Sequence, residues 1–161
     1  MTEAYRALAG RIRRDLDDVR TIADRAQTIW QRYEETDDPY YVDAAALNLH
    51  DVYVGLERLF EEIAREVDRS VPEGPHWHRT LLDQMASSIS STRPAVLSNE
   101  VRQKLGAYRG FRHVVRNVYA VEFDPEQVAP LMRRLPDVCD AVVGELDAFA
   151  DTLERIADGD S

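Results

Sequence analysis

Between Val101 and Val121 the chain carries Arg102, Lys104, Arg109, Arg112 and Arg116, together with His113, and no acidic side chain at all. Wound as a helix at about 100° per residue, Arg102, Arg109, Arg112, His113, Arg116 and Asn117 fall within an arc of roughly 140°. Tyr108, Phe111, Val114, Val115 and Val118 take the opposite arc and face a core, while Tyr119 falls at the border on the side of Arg112. Arginine outnumbers lysine four to one in this strip, which suits a planar, bidentate grip on phosphate. An imidazole among guanidinium groups adds a side chain able to move protons near neutral pH. The chemistry this predicts is phosphate recognition by Arg102, Arg109, Arg112 and Arg116, with His113 and Asn117 on the same face. A basic face ordinarily solvates its helix or pairs with acids on neighbouring helices. The complete lack of acids in the strip argues for more.

The rest of the chain sharpens the contrast. Net charge is −10, from 20 Lys and Arg against 30 Asp and Glu; five of the basic residues lie in the strip, leaving 15 against 30 elsewhere. Phosphate contacts dominate nucleic-acid affinity, so a protein of this overall charge repels RNA and DNA except at a local patch. Other candidates are weaker. His50 and His78 are possible members of a cleft. Glu57–Arg58 is read as a buried or inter-helix ion pair that positions the basic helix, and Tyr53 as packing. The four histidines are too dispersed for a zinc site, and no cofactor is expected. No glycine-rich phosphate loop and no GxSxG elbow occur.

The elements that must hold this strip are helices. Tyr5, Leu8, Ile12, Val19, Ala26 and Tyr33 form one stripe, predicting a helix from near Thr2 to Tyr33. Asp38–Pro39 is a cap followed by proline at the first helical position, and Val42, Ala45, Leu49, Val52, Leu56, Leu59 and Ile63 follow at helical spacing. The proline-rich connection 69–75 breaks the chain, Trp77–Ala86 forms a short helix, and the polar segment 87–98 reads as a mobile loop. Ser98 caps the basic helix, predicted to run to about Tyr119, and Asp124–Pro125 starts the last one. The expected fold is all-α: one domain over residues 1–161, an up-and-down bundle of four main helices and one short helix. An extended coiled coil is the alternative; short proline-marked connections favour the compact bundle. No apolar run approaches the roughly 20 residues of a membrane span. There is no signal-peptide core, and the single Cys139 reads as a buried thiol, so a cytoplasmic location is expected.

The string YRGFRHVVRNVY (Tyr108–Tyr119), followed by AVEFDP, resembles the signature helix of HepT-like toxins in the HEPN ribonuclease superfamily. LNLHDVYVGLERLFEEIAREVD (Leu47–Asp68), VPEGPHWHRTLLDQM (Val71–Met85) and RPAVLS (Arg93–Ser98) resemble the same branch in the same order. The likeness spans roughly Leu47 to Leu131. It implies a helical bundle that forms a homodimer, with two motif helices lining a shared cleft. It implies metal-independent RNA cleavage through the ribose 2′-hydroxyl, and a cognate MntA-type nucleotidyltransferase antitoxin of a type VII system that transfers AMP to Tyr119. The family motif places an arginine, four residues, a histidine, one residue and a tyrosine; here these positions are Arg112, Asn117 and Tyr119.

Asn117 therefore stands where the family has histidine, and an amide does not titrate. Three readings stay open. His113, one turn earlier, supplies the proton chemistry; Arg112 and Asn117 give slow, electrostatically driven cleavage; or catalysis is lost and the surface binds RNA or a partner. The second functional class is thus a non-catalytic module that partners the nucleotidyltransferase and presents Tyr119, and the third is a purely structural dimerisation domain.

Overall fold

The computed structural model describes residues 2–117 and 122–159. Among these are five α-helices: α1 Thr2–Thr36, α2 Pro39–Ile63, α3 Trp77–Met85, α4 Asn99–Arg116 and α5 Pro125–Ala157. The expected all-α bundle with one short helix is thus what the chain builds. Both aspartate–proline signals act as read. Asp38 accepts a hydrogen bond from the Tyr40 amide at 3.0 Å, and Asp124 accepts one from Glu126 at 2.9 Å. Each satisfies a donor that the helix start leaves free.

The long helices α1, α2 and α5 form the body, with α1 lying along both of the others. The α1 stripe from Tyr5 to Ala26 is buried, as are Val42 to Ile63 on α2 and Val128 to Leu153 on α5. Helices α1 and α2 meet closely at Gly55, where a β-carbon would stand 3.1 Å from a Val19 methyl. The polar side of α1 is not idle: Arg13 and Arg20 pair with acids of α5, Arg6 with Asp158 at the C-cap of α5, and Arg11 with Glu62 and Glu66. Cys139 is buried, and burial pushes its thiol pKa up.

Helix α5 contains Pro130 and Pro136 and still runs unbroken. Proline at 136 has no N–H for the Met132 carbonyl. The Gln27 side-chain amide donates to that carbonyl instead, at 3.1 Å.

Two boundaries differ from the sequence reading. Helix α2 passes into a π-helical turn, Ala64–Asp68, before Arg69 ends it in the left-handed region (φ 59°). Helix α4 stops at Arg116, with Asn117 as its C-cap, because the Asn117 side chain turns back to donate to the His113 carbonyl at 2.8 Å. Segment 87–98, expected to be a mobile loop, is tied down at one residue. The fully buried Arg93 side chain donates to both Asp68 oxygens, at 2.6 and 2.8 Å, and to the carbonyls of Gln84, Ser87 and Pro94.

Candidate functional site

The rotation of α4 decides which residues it presents. Val101, Leu105, Tyr108 and Phe111 are buried. The Tyr108 hydroxyl donates to the Leu131 carbonyl at 2.7 Å, which locks α4 against α5. Ser98 caps the helix start, accepting from the Val101 amide, and its own amide donates to Glu145 of α5 at 2.7 Å. With that face inward, the arginine face turns towards α3.

Helix α3 is fixed just as firmly. Leu81, Leu82 and Met85 are buried, and the Met85 carbonyl accepts the amides of Val96 and Leu97. Gln84 donates to Asp68 and to the Ser70 carbonyl. At its start, Gly74 adopts φ 97°, a left-handed conformation suited to glycine, and turns the chain into the helix.

Between α3 and α4 lies an open cleft of about 590 Å³, lined by Gly74, Pro75 and residues 76–79 on one side and by Arg109, Gly110, Arg112, His113 and Arg116 on the other. Among the described residues four guanidinium groups (Arg79, Arg109, Arg112, Arg116) and three imidazoles (His76, His78, His113) face it, and no carboxylate lines it. Such a concave positive surface focuses its field on an anion.

At the base of the cleft three charged or titratable side chains meet. Glu57, buried on α2, lies with Oε2 2.8 Å from His78 Nδ1 and Oε1 3.8 Å from an Arg112 terminal nitrogen. That same nitrogen, Nη1, is 2.6 Å from His78 Nδ1 and also contacts Nε2. Trp77 completes the wall, its ring centroid 5.9 Å from the Arg112 guanidinium carbon and stacked on the His78 ring at 3.6 Å. Arg112 Nε is buried and has no hydrogen-bond partner among the described residues. A buried carboxylate without a cation would be costly, so Glu57 and Arg112 hold each other in place.

The sequence-selected residues divide. Arg109, Arg112, His113 and Arg116 reach the cleft. Arg102 does not: it pairs with Asp83 of α3 at 3.1 Å, the answering charge that the acid-free strip concealed. Lys104 pairs with Glu100 one turn back. Asn117 is exposed at the helix end and touches the cleft only through His113, its Nδ2 3.3 Å from His113 Nε2. Tyr119, the expected modification site, lies outside the described residues. Glu57 forms the inter-helix ion pair, but with Arg112 in place of its neighbour Arg58. Sequence reasoning left His78 unassigned and passed over Trp77, Arg79 and His76. The PHWHR run (75–79), with two histidines, a tryptophan and an arginine after a proline, was the available signal.

Two further groups sit nearby. Burial, followed by the charge of Glu57, pushes the Tyr53 hydroxyl pKa up, so it stays neutral and packs as expected. Burial also lowers the His50 pKa; Asp51 and Glu57 oppose that shift, while Arg112 and Arg116 reinforce it. Among the described residues no three His, Cys, Asp or Glu side chains converge to hold a metal ion.

A helical bundle with an arginine-lined cleft between a short and a long helix defines the architecture. The family model for HepT-like proteins matches residues 44–153, more than half of the chain, so the chain belongs to the HepT-like family, whose members are HEPN modules of toxin–antitoxin systems. No curated protein and no solved structure matches it.

Proposed function

We propose that this chain is the toxin of a HepT/MntA-type pair, a metal-independent endoribonuclease that works through the ribose 2′-hydroxyl. The observation that carries this reading is the cleft itself: four arginines converge there with no lining carboxylate among the described residues, inside a protein of net charge −10. A phosphorane-like transition state gains charge on its oxygens, and a preorganised guanidinium such as Arg112 stabilises that charge. Arg109 and Arg116, with no ion-pair partner among the described residues, would hold flanking phosphates. The 2′-hydroxyl supplies the nucleophile, which restricts the reaction to RNA. A second copy of the chain would close the open side of the cleft as a homodimer.

Incubating the purified protein with tRNA and mRNA in the presence of EDTA tests the activity. Cleavage by the wild type and a loss of about 100-fold or more in Arg112→Ala are expected, in line with losing one transition-state donor. Intact RNA in both samples would contradict it.

Asn117 favours a second reading, because an amide at the motif position moves no proton. In that reading the chain binds the nucleotidyltransferase without cutting RNA and receives AMP on Tyr119. Mass spectrometry after co-expression with a competent transferase distinguishes the two. An adenylylated Tyr119 on a chain inert towards RNA supports the second reading, and an unmodified Tyr119 removes its covalent part.

A further inference from the structure

We propose that His78, held by Glu57, is the proton acceptor of the cleavage reaction, taking the place of the histidine absent at position 117. The inference rests on the endoribonuclease reading above and assigns the chemistry to a residue outside the motif helix.

The geometry begins at Glu57. Its Oε2 is 2.8 Å from His78 Nδ1, and the carboxylate is buried among the helices. A carboxylate accepts and does not donate, so in the neutral imidazole the Nδ1 proton points to Glu57 and the lone pair resides on Nε2. A carboxylate in this position fixes both the tautomer and the ring orientation. Trp77 packs on the ring face and restricts its rotation. His78 is partly exposed and lines the cleft, so Nε2 belongs to the surface that a substrate reaches.

Arg112 supplies the coupling. Its Nη1 lies against both ring nitrogens of His78, so the guanidinium shields Nε2 on the cleft side. A phosphodiester is a stronger acceptor for guanidinium than a neutral imidazole. Its arrival draws Nη1 onto the phosphate and uncovers Nε2 beside the ribose of the same nucleotide. Nε2 then takes the 2′-hydroxyl proton, and the 2′-oxygen forms a bond to phosphorus. The P–O5′ bond breaks with its electron pair on the 5′-oxygen, which takes a proton from water. The proton on His78 returns to the resulting hydroxide. The products are a 2′,3′-cyclic phosphate and a 5′-hydroxyl.

His113 is the competing candidate. Its Nε2 lies against Asn117, and no carboxylate orients it among the described residues. The charged groups against His78 are Glu57 from α2 and Arg112 from α4, and the wider cleft adds Arg79, Arg109, His76 and His113.

The test compares the wild type with His78→Asn, His78→Ala and Glu57→Gln on one RNA oligonucleotide between pH 5 and 9, with and without added imidazole. Thermal melting of each variant is measured alongside. We expect His78→Asn to lower kcat by about 100-fold or more with KM little changed, the usual scale of general-base loss. The acidic limb of its pH profile should disappear, and imidazole should restore part of the activity of His78→Ala. Glu57→Gln acts through His78, so it should lower kcat with KM little changed, by less than His78→Asn does. Wild-type kcat and pH profile in His78→Asn would overturn the assignment while leaving the endoribonuclease reading intact. A loss that keeps the acidic limb and is not rescued by imidazole would overturn it too, marking His78 as structural. A wild type that leaves RNA uncut would refute the endoribonuclease reading itself, and this step with it.

Discussion

At the scale of single residues, Glu57 explains why Arg112 stands where it does. The carboxylate is 3% exposed, and a buried anion persists only beside a cation and good hydrogen-bond partners. Arg112 and His78 are those partners, and both also face the cleft. When Arg112 is replaced by alanine, Glu57 keeps His78 as its neighbour, which gives that variant a route to remain folded. His50 yields a separate prediction. Burial lowers its pKa from the ordinary 6.5, so on acidification the unfolded chain takes up this proton before the folded one. The stability associated with neutral His50 is therefore complete above about pH 6.5 and declines as pH falls towards the lower folded value. Melting temperatures measured from pH 7.5 to 5 should fall less steeply in His50→Gln than in the wild type; equal slopes would contradict the assignment.

At the scale of elements, the cleft depends on α3 being held at a fixed distance from α4. The Arg93–Asp68 pair does this, joining the π-helical end of α2 to the connection that follows α3. Both side chains are fully buried, so removing one leaves an uncompensated charge. Arg93→Ala should lower unfolding stability by about 3–5 kcal/mol, read from urea denaturation; a change below ~1 kcal/mol would show that the pair does not brace the fold. The helices themselves were legible in the sequence. Apolar stripes at helical spacing gave α1, α2 and α5, and the two aspartate–proline caps gave the starts of α2 and α5. The polar bracing was not legible. SSISSTRP reads as a solvated loop, and nothing local says that its arginine inserts beneath α3. The Glu57–His78–Arg112 cluster joins positions 21 and 34 residues apart, and side-chain periodicity carries no information across such gaps. Helical arc arithmetic also placed Arg102 with the cleft arginines, because it cannot see an acid on another helix; Asp83 was that acid.

At the scale of the whole molecule, an acidic body carrying this cationic cleft should bind RNA with a strong dependence on salt. For single-stranded RNA the slope of log K against log salt is about −0.7 per phosphate neutralised, so three or four contacts give roughly −2 to −3. Replacing Arg109 and Arg116 together by glutamine should make the slope shallower by about 1.4. Electrophoretic shift assays on Arg112→Ala background protein, which separate binding from cutting, measure this; an unchanged slope would place the RNA elsewhere. The same charge distribution fits family membership: the matched region, residues 44–153, contains every residue that lines the cleft.

In the proposed reaction the cleft around Arg112 cuts RNA through a ribose hydroxyl. The most direct measurement uses a DNA oligonucleotide with a single ribose at one position, incubated in EDTA with wild-type protein and with Arg112→Ala, and analysed by mass spectrometry. Wild-type protein should cleave at the ribose alone and leave a 2′,3′-cyclic phosphate, with no cleavage of the all-deoxy control and a loss of about 100-fold or more in Arg112→Ala. Cleavage of the all-deoxy strand, or equal cutting by wild type and Arg112→Ala, would contradict it.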